Sequence, residues 1–128
     1  MYRIDITEYG VKISQSGIIK IEEAVEWAEK MLEILKNMKP GFKLFADMRG
    51  IIPAGRDVQD IYSHIQQEFR ANGLDKSVIV LDNALSVLQM KKTAKTSGVA
   101  KYERYLNSDK NDEWESQAIA WILEGTEP

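Results

Sequence analysis

Phe42-Lys43-Leu44-Phe45-Ala46-Asp47-Met48 is the stretch that decides how this chain folds. It is almost continuously apolar, too short for an ordinary helix, and followed at once by Arg49-Gly50. A run of this kind is a strand buried on both faces, and such strands belong to parallel sheets with helices laid over them. A second run of the same type, Ser77-Val78-Ile79-Val80-Leu81, lies further along. Between the two, Asp57 to Asn72 places Val58, Ile61, Tyr62, Ile65 and Phe69 on one side of a helix that closes at Asn72-Gly73. Strand, helix and strand together make the parallel crossover unit.

The same alternation extends in both directions. Ile21 to Met38 carries an apolar stripe of Ile21, Ala24, Val25, Ala28, Met31, Leu32, Leu35 and Met38. Glu22, Glu23 and Glu26 open this helix and Lys36 and Lys39 close it, the charge order that the helix dipole favours. Pro40-Gly41 stops it, while Lys20 stands where a Ser, Thr or Asp cap is expected. Earlier still, Tyr2, Ile4 and Ile6 alternate with Arg3, Asp5 and Thr7, and Val11 and Ile13 with Lys12 and Ser14. These are two half-buried strands joined at Tyr9-Gly10 into an antiparallel hairpin, the second expected to run on through Ile18 and Ile19.

Toward the C-terminus, Asn83 is a cap for a third helix reaching about Thr96, with sparse apolar positions at Ala84, Val87, Leu88 and Ala94. Gly98 closes it, Tyr102 to Leu106 alternates as a strand, and Asp109 to Asn111 leads into a last helix bearing Trp114, Ala118, Trp121 and Ile122. Gly125 ends that helix, and Thr126 to Pro128 form a tail. The order is ββαβαβαβα: an α/β fold whose sheet is mixed but mostly parallel, with an N-terminal antiparallel hairpin and about four helices. A length of 128 residues fits one domain spanning 1–128.

Composition narrows the chemistry. A formal net charge of -3 argues against nucleic acid as a partner, since phosphate binding needs a basic surface. The absence of cysteine excludes disulfides, thiolate metal sites and cysteine nucleophiles, and it fits a cytoplasmic location. With one histidine, His64, no zinc site of several imidazoles is possible, and neither metal nor cofactor is expected. Arg3 and Asp5 interrupt the opening residues, so no signal peptide is expected. No apolar run approaches the roughly 20 residues that span a bilayer, so stable membrane insertion is not expected.

Several local words resemble the SpoIIAA-like branch of the STAS domains (sulfate-transporter and anti-sigma-factor antagonist). They are the hairpin with Gly17-Ile18-Ile19-Lys20-Ile21-Glu22-Glu23-Ala24, then Lys43-Leu44-Phe45-Ala46-Asp47-Met48-Arg49-Gly50. The last are Tyr102-Glu103-Arg104-Tyr105-Leu106 and the closing Glu115-Ser116-Gln117-Ala118-Ile119-Ala120-Trp121-Ile122. The resemblance implies a mixed sheet of successive βα units. In regulatory members of that family a serine at the start of the second helix is phosphorylated. The corresponding stretch, Ile51-Ile52-Pro53-Ala54-Gly55-Arg56-Asp57, has no Ser or Thr, so that switch is not carried over.

Ligands of open α/β sheets bind beyond the carboxyl ends of the strands, which here carry Asp47, Met48 and Arg49, then Asp82 and Asn83, then Asn107, Ser108 and Asp109. The loop Arg49 to Arg56 enters a helix N-terminus with two arginines, which makes Asp47, Arg49, Gly50, Gly55 and Arg56 candidates for holding an anion or small polar ligand. It has no G-x-x-x-x-G-K-[ST] or G-x-G-x-x-G pattern, so nucleotide binding has no support. The ordinary reading stands beside this one. Asp82, Asn83, Asp109 and Asn111 cap helices, Arg49 pairs with Asp47, and Ile51 and Ile52 fold inward.

His64 has only Ser63 beside it, about 100° away on a helix and unable to pair simply with it. Lys91, Lys92 and Lys95, with Lys101 nearby, can meet a phospholipid head group or an acidic partner, or simply complement a helix end. Trp27, Trp114 and Trp121 read as core or interface packing. The function expected is therefore a non-enzymatic regulatory or protein-interaction module, working as a homodimer or on a protein partner. The alternative is a carrier or sensor holding a small apolar or lipid-like ligand between sheet and helices, against Met48, Ile51, Ile52, Tyr62 and Met90. An enzyme using Asp47, Arg49 and His64 has the least support.

Overall fold

β1 (Tyr2–Ile6) and β2 (Gly10–Gln15) form the expected hairpin, and α1 (Ile21–Lys36), β3 (Lys43–Asp47), α2 (Arg56–Ala71) and β4 (Lys76–Leu81) follow. The chain ends with α3 (Ala84–Ser97), β5 (Glu103–Asn107) and α4 (Trp114–Glu124). The computed structural model describes residues 1–98 and 100–128. The five strands lie in the order β1-β2-β3-β4-β5. β1 and β2 are antiparallel, with Ile4 opposite Ile13, and every later pair is parallel. The mixed sheet and the ββαβαβαβα order are thus those expected.

The two faces of the sheet are covered unequally. One is packed by α1 through Trp27, Met31 and Leu35, by α2 through Val58, Tyr62, Ile65 and Phe69, and by α3 through Met90. The strands answer with Ile13, Leu44, Ala46, Ile79 and Leu81. The other face belongs to α4 alone, where Ala118, Trp121 and Ile122 meet Phe45, Val78, Val80 and Leu106. Alternation along β3 and β4 thus feeds both cores. Each large apolar side chain buried this way contributes about 1.5–3 kcal/mol.

Because the strands follow one another in sequence order, the parallel part of the sheet never reverses direction. A reversal is what opens a ligand crevice at the carboxyl edge of a doubly wound sheet. Two local differences from the sequence reading follow from backbone geometry. β2 stops at Gln15 and does not continue through Ile18 and Ile19, because Gly17 turns the chain at φ 70° and pairs as an isolated bridge with Ile51. α1 starts at Ile21 with no side-chain cap from Lys20, whose carbonyl accepts the first helical bond from the Ala24 amide at 2.9 Å. Among the described residues no helix is long and apolar enough to cross a membrane.

The hairpin meets β3 at Gly10, where φ is 149° and an added Cβ would collide with the Lys43 carbonyl and lie 2.8 Å from the Lys43 nitrogen. We expect Gly10→Ala to lower stability by about 2 kcal/mol or more. Gly17→Ala should cost about 1 kcal/mol, since the position meets nothing within 4 Å and only its positive φ opposes a side chain. Urea unfolding midpoints of the two variants check this ranking.

Candidate functional site

Asp47 ends β3 and Arg49 follows two residues later. The guanidinium donates from Nε to Asp47 Oδ1 at 2.9 Å and from its terminal nitrogen to Oδ2 at 2.8 Å, while the Arg49 amide donates to Oδ1 at 3.2 Å. This is a bidentate pair, and the Arg49 plane also lies 4.3 Å from the centre of the Trp114 ring. Burial opposes ionisation of Asp47, but the hydrogen bonds and charge of Arg49 outweigh it and hold the carboxyl below the usual range. Gly50, at φ 79°, gives its amide to Asp82 Oδ2 at 2.8 Å. Asp47, Arg49 and Gly50 are thus brought together, each with a partner inside the protein.

Gly55 and Arg56 stand apart from them. Gly55 is the α2 N-cap and Arg56 is its exposed first residue. Arg56 lines an open hollow of about 430 Å³ with Gln59, Asp60, Ser63 and Lys92, whereas Asp47 and Arg49 line one of about 340 Å³ with Tyr2, Arg3 and Ser14. The two arginines therefore do not converge on one anion site. Asn83 caps α3 by accepting from the Ser86 amide at 2.8 Å. Asn107 and Asn111 accept from the Asp109 and Glu113 amides at 3.1 and 3.0 Å, organising the turns before α4. His64 is exposed on α2, and Lys91, Lys92, Lys95 and Lys101 are all exposed. Among the described residues no three His, Asp or Glu side chains gather into a metal-binding group.

Polar chemistry gathers instead inside the larger core. Between the sheet and α1, α2 and α3 lies a cavity of about 30 Å³, walled by Gln15, Trp27, Tyr62, Gln66, Met90 and Glu103 among apolar residues. A second hollow of about 10 Å³ shares Met48, Tyr62 and Met90 with it and continues to Ile51, Ile52, Pro53 and Ser86. Ile52 is 49 % exposed, so the second hollow reaches the surface. Together the two form a slender cleft, with room for one or two water-sized groups as it stands. All five side chains named as liners for a carrier (Met48, Ile51, Ile52, Tyr62 and Met90) border its outer hollow. Ile51 is buried as expected, but Ile52 points outward.

Four buried side-chain atoms have no hydrogen-bond partner among the described residues: Gln15 Nε2, Trp27 Nε1, Tyr62 Oη and Ser86 Oγ. All four belong to residues on the walls of this cleft. A buried donor left unpaired costs about 1–3 kcal/mol, so a cluster of them is an expensive arrangement for a core. Trp27 and Tyr62 also pack edge to face, with centroids 5.5 Å apart, which fixes both rings at the cleft.

Glu103 stands at the inner end, 3 % exposed. Its carboxylate accepts from Ser77 Oγ at 2.8 Å and from Tyr105 Oη at 2.7 Å. Among the described residues no cation touches the carboxylate, so burial dominates the two hydrogen bonds and its pKa is pushed up to about 7. Burial and the adjacent Glu103 charge raise Tyr105 well above the ordinary phenol range, and burial does the same to Tyr62.

Sequence reading missed this cluster, although one signal was present. Gln15 continues the inward phase of Val11 and Ile13, so a polar side chain in that slot marks an interior polar site. No protein-family model matches the chain, and no curated protein matches it.

The raised Glu103 pKa has a consequence for stability. Folded protein holds this proton more tightly than the unfolded chain, so stability falls as pH rises from the ordinary value of 4.5 through about 7. The loss is on the order of 3 kcal/mol. Glu103→Gln should remove that slope, and unfolding of both proteins across pH 4 to 8.5, compared by difference, checks it.

Proposed function

We propose that this chain is a non-enzymatic regulatory module of the STAS type, set by a small ligand in the cleft beneath α3 in place of phosphorylation. One observation carries the reading: every buried unpartnered polar side-chain atom among the described residues lies on the walls of one cleft. The ββαβαβαβα order and the mixed sheet support the STAS assignment. The stretch Ile51 to Asp57 offers no hydroxyl for a kinase, which leaves ligand occupancy as the input.

α3 is suited to report that input. Its buried face is small, made by Ser86, Met90, Thr93 and Ala94, and Met90 and Ser86 touch the cleft. A helix anchored by so little apolar surface belongs to the low-stability part of a fold and moves readily. Met48 and Met90, flexible and unbranched, can yield to an entering chain.

Native mass spectrometry of freshly purified protein should detect a bound small molecule, and thermal shifts should follow its readdition. Gln15→Met removes one buried unpaired donor at similar volume. It should raise the stability of ligand-free protein by about 1 kcal/mol while abolishing the ligand-induced shift. No co-purifying molecule and no shift with any short amphiphile would remove the reading.

A second reading is favoured by Leu85 and Leu88, which stand 57 % and 64 % exposed on the outer side of α3. Exposed leucines in one patch mark a protein contact, here a second copy of the chain. Light scattering should give twice the monomer mass for the wild type and the monomer mass for Leu85→Glu with Leu88→Glu. A monomeric wild type ends the dimer reading.

A further inference from the structure

We infer that the cleft selects an uncharged ligand bearing hydrogen-bond acceptors, a carbonyl compound such as an amide, ketone or ester, and that Glu103 is the residue that rejects anions. The inference rests on the cleft being a ligand site and names what that site takes.

The donors come first. Gln15 Nε2 and Trp27 Nε1 can only donate, and Tyr62 Oη and Ser86 Oγ can donate as well as accept. They run from the inner cavity to the outer hollow, with Tyr62 bordering both. A partner that satisfies them must offer acceptor atoms along a narrow path. A carbonyl oxygen has two lone pairs and takes two such donors, whereas a plain hydrocarbon leaves all four unpaired.

Charge decides between acceptors. A carboxylate or phosphate also accepts, but burying an anion requires a cation or a dense set of donors. Among the described residues no Lys, Arg or His lines either hollow. Among the described lining residues, the carboxyl of Glu103 is the group that ionises near neutral pH, and it repels an anion. Its surroundings offer no relief. Ser77 of β4 and Tyr105 of β5 give it neutral hydroxyls, and Tyr62 of α2 is an un-ionised phenol. Trp27 of α1 faces the same cavity, and Lys91 of α3 lies over the outer Tyr105 ring, 5.8 Å from its centre. Neutral acceptors therefore enter and anions of the same shape do not. The volume of about 30 Å³ at the inner end takes the carbonyl group, and the tail follows only as the flexible Met48 and Met90 yield along the outer hollow toward Ile52.

The test is a matched pair of probes, butanamide and butyrate, titrated to millimolar concentration at pH 8 and followed by the indole N–H resonances. Trp121 donates to the Ser77 carbonyl at 2.9 Å on the other face and serves as the internal control. Butanamide should move the Trp27 resonance and butyrate should leave it in place, a preference of at least about tenfold in affinity. In Glu103→Gln the preference should shrink by at least about threefold without vanishing, because the amide keeps the shape and removes the repulsion, while the cost of burying a carboxylate with no cation stays. If butyrate binds the wild type as well as butanamide does, the anion-rejecting role is overturned while the cleft stands as a ligand site. If neither probe moves Trp27, both fall. The wild-type comparison decides the matter even if Glu103→Gln does not fold.

Discussion

β3 and β4 have to be covered on both faces, and most of this protein is arranged to meet that demand. Leu44, Ala46, Ile79 and Leu81 face one way, and Phe45, Val78 and Val80 face the other. Three helices close the first side and α4 closes the second. Ser77 ties the two sides together. Its carbonyl accepts from the Trp121 indole of α4, while its hydroxyl reaches the Glu103 carboxylate in the opposite core. One residue of a central strand thus links the position of α4 to the polar end of the cleft.

The interior polar group runs against what packing alone would choose. An apolar side chain of the same volume at Gln15 would remove one of the four unpaired donors, and one at Glu103 would remove the half-neutral carboxyl. Their position gives the arrangement its meaning: all lie under the face closed by the three helices, none under α4. The α4 side is conventional, with one buried indole donor already satisfied. Strain in satisfying polar groups is thus concentrated at one place, as it is at sites that receive a ligand.

Much of the architecture was legible from the sequence because it follows from short-range rules. Asn83 and Gly125 mark their helix ends through backbone conformation and capping, whereas α1 ends at Lys36 with Asn37 as its C-cap, two residues before the expected Met38, and the runs around Phe45 and Val78 announce strands buried on both sides. The Asp47–Arg49 pair was legible for the same reason, the two residues being close neighbours in the chain. The cleft was not. It needs Ser77 opposite Glu103 in a pairing between strands 26 residues apart, and it needs Gln15 brought under α2. Register between distant strands decides both, and no local pattern encodes it. The separation of Arg49 from Arg56 has a similar origin, since the buried Ile51 pins the loop between them to Gly17.

The strand order β1-β2-β3-β4-β5 has a consequence for how the chain is assembled. Each strand pairs with the one made just before it, so every pairing closes only a modest loop, and folding can grow from the N-terminal edge as the chain is made, without waiting for distant segments. α4 alone breaks this sequence, because it must dock on the far side of strands already in place. Until it does, Phe45, Val78 and Val80 form a bare apolar wall. The last eleven-residue helix is therefore the protective cover of the nascent protein, and synthesis that halts before Trp114 leaves a sheet with one sticky side.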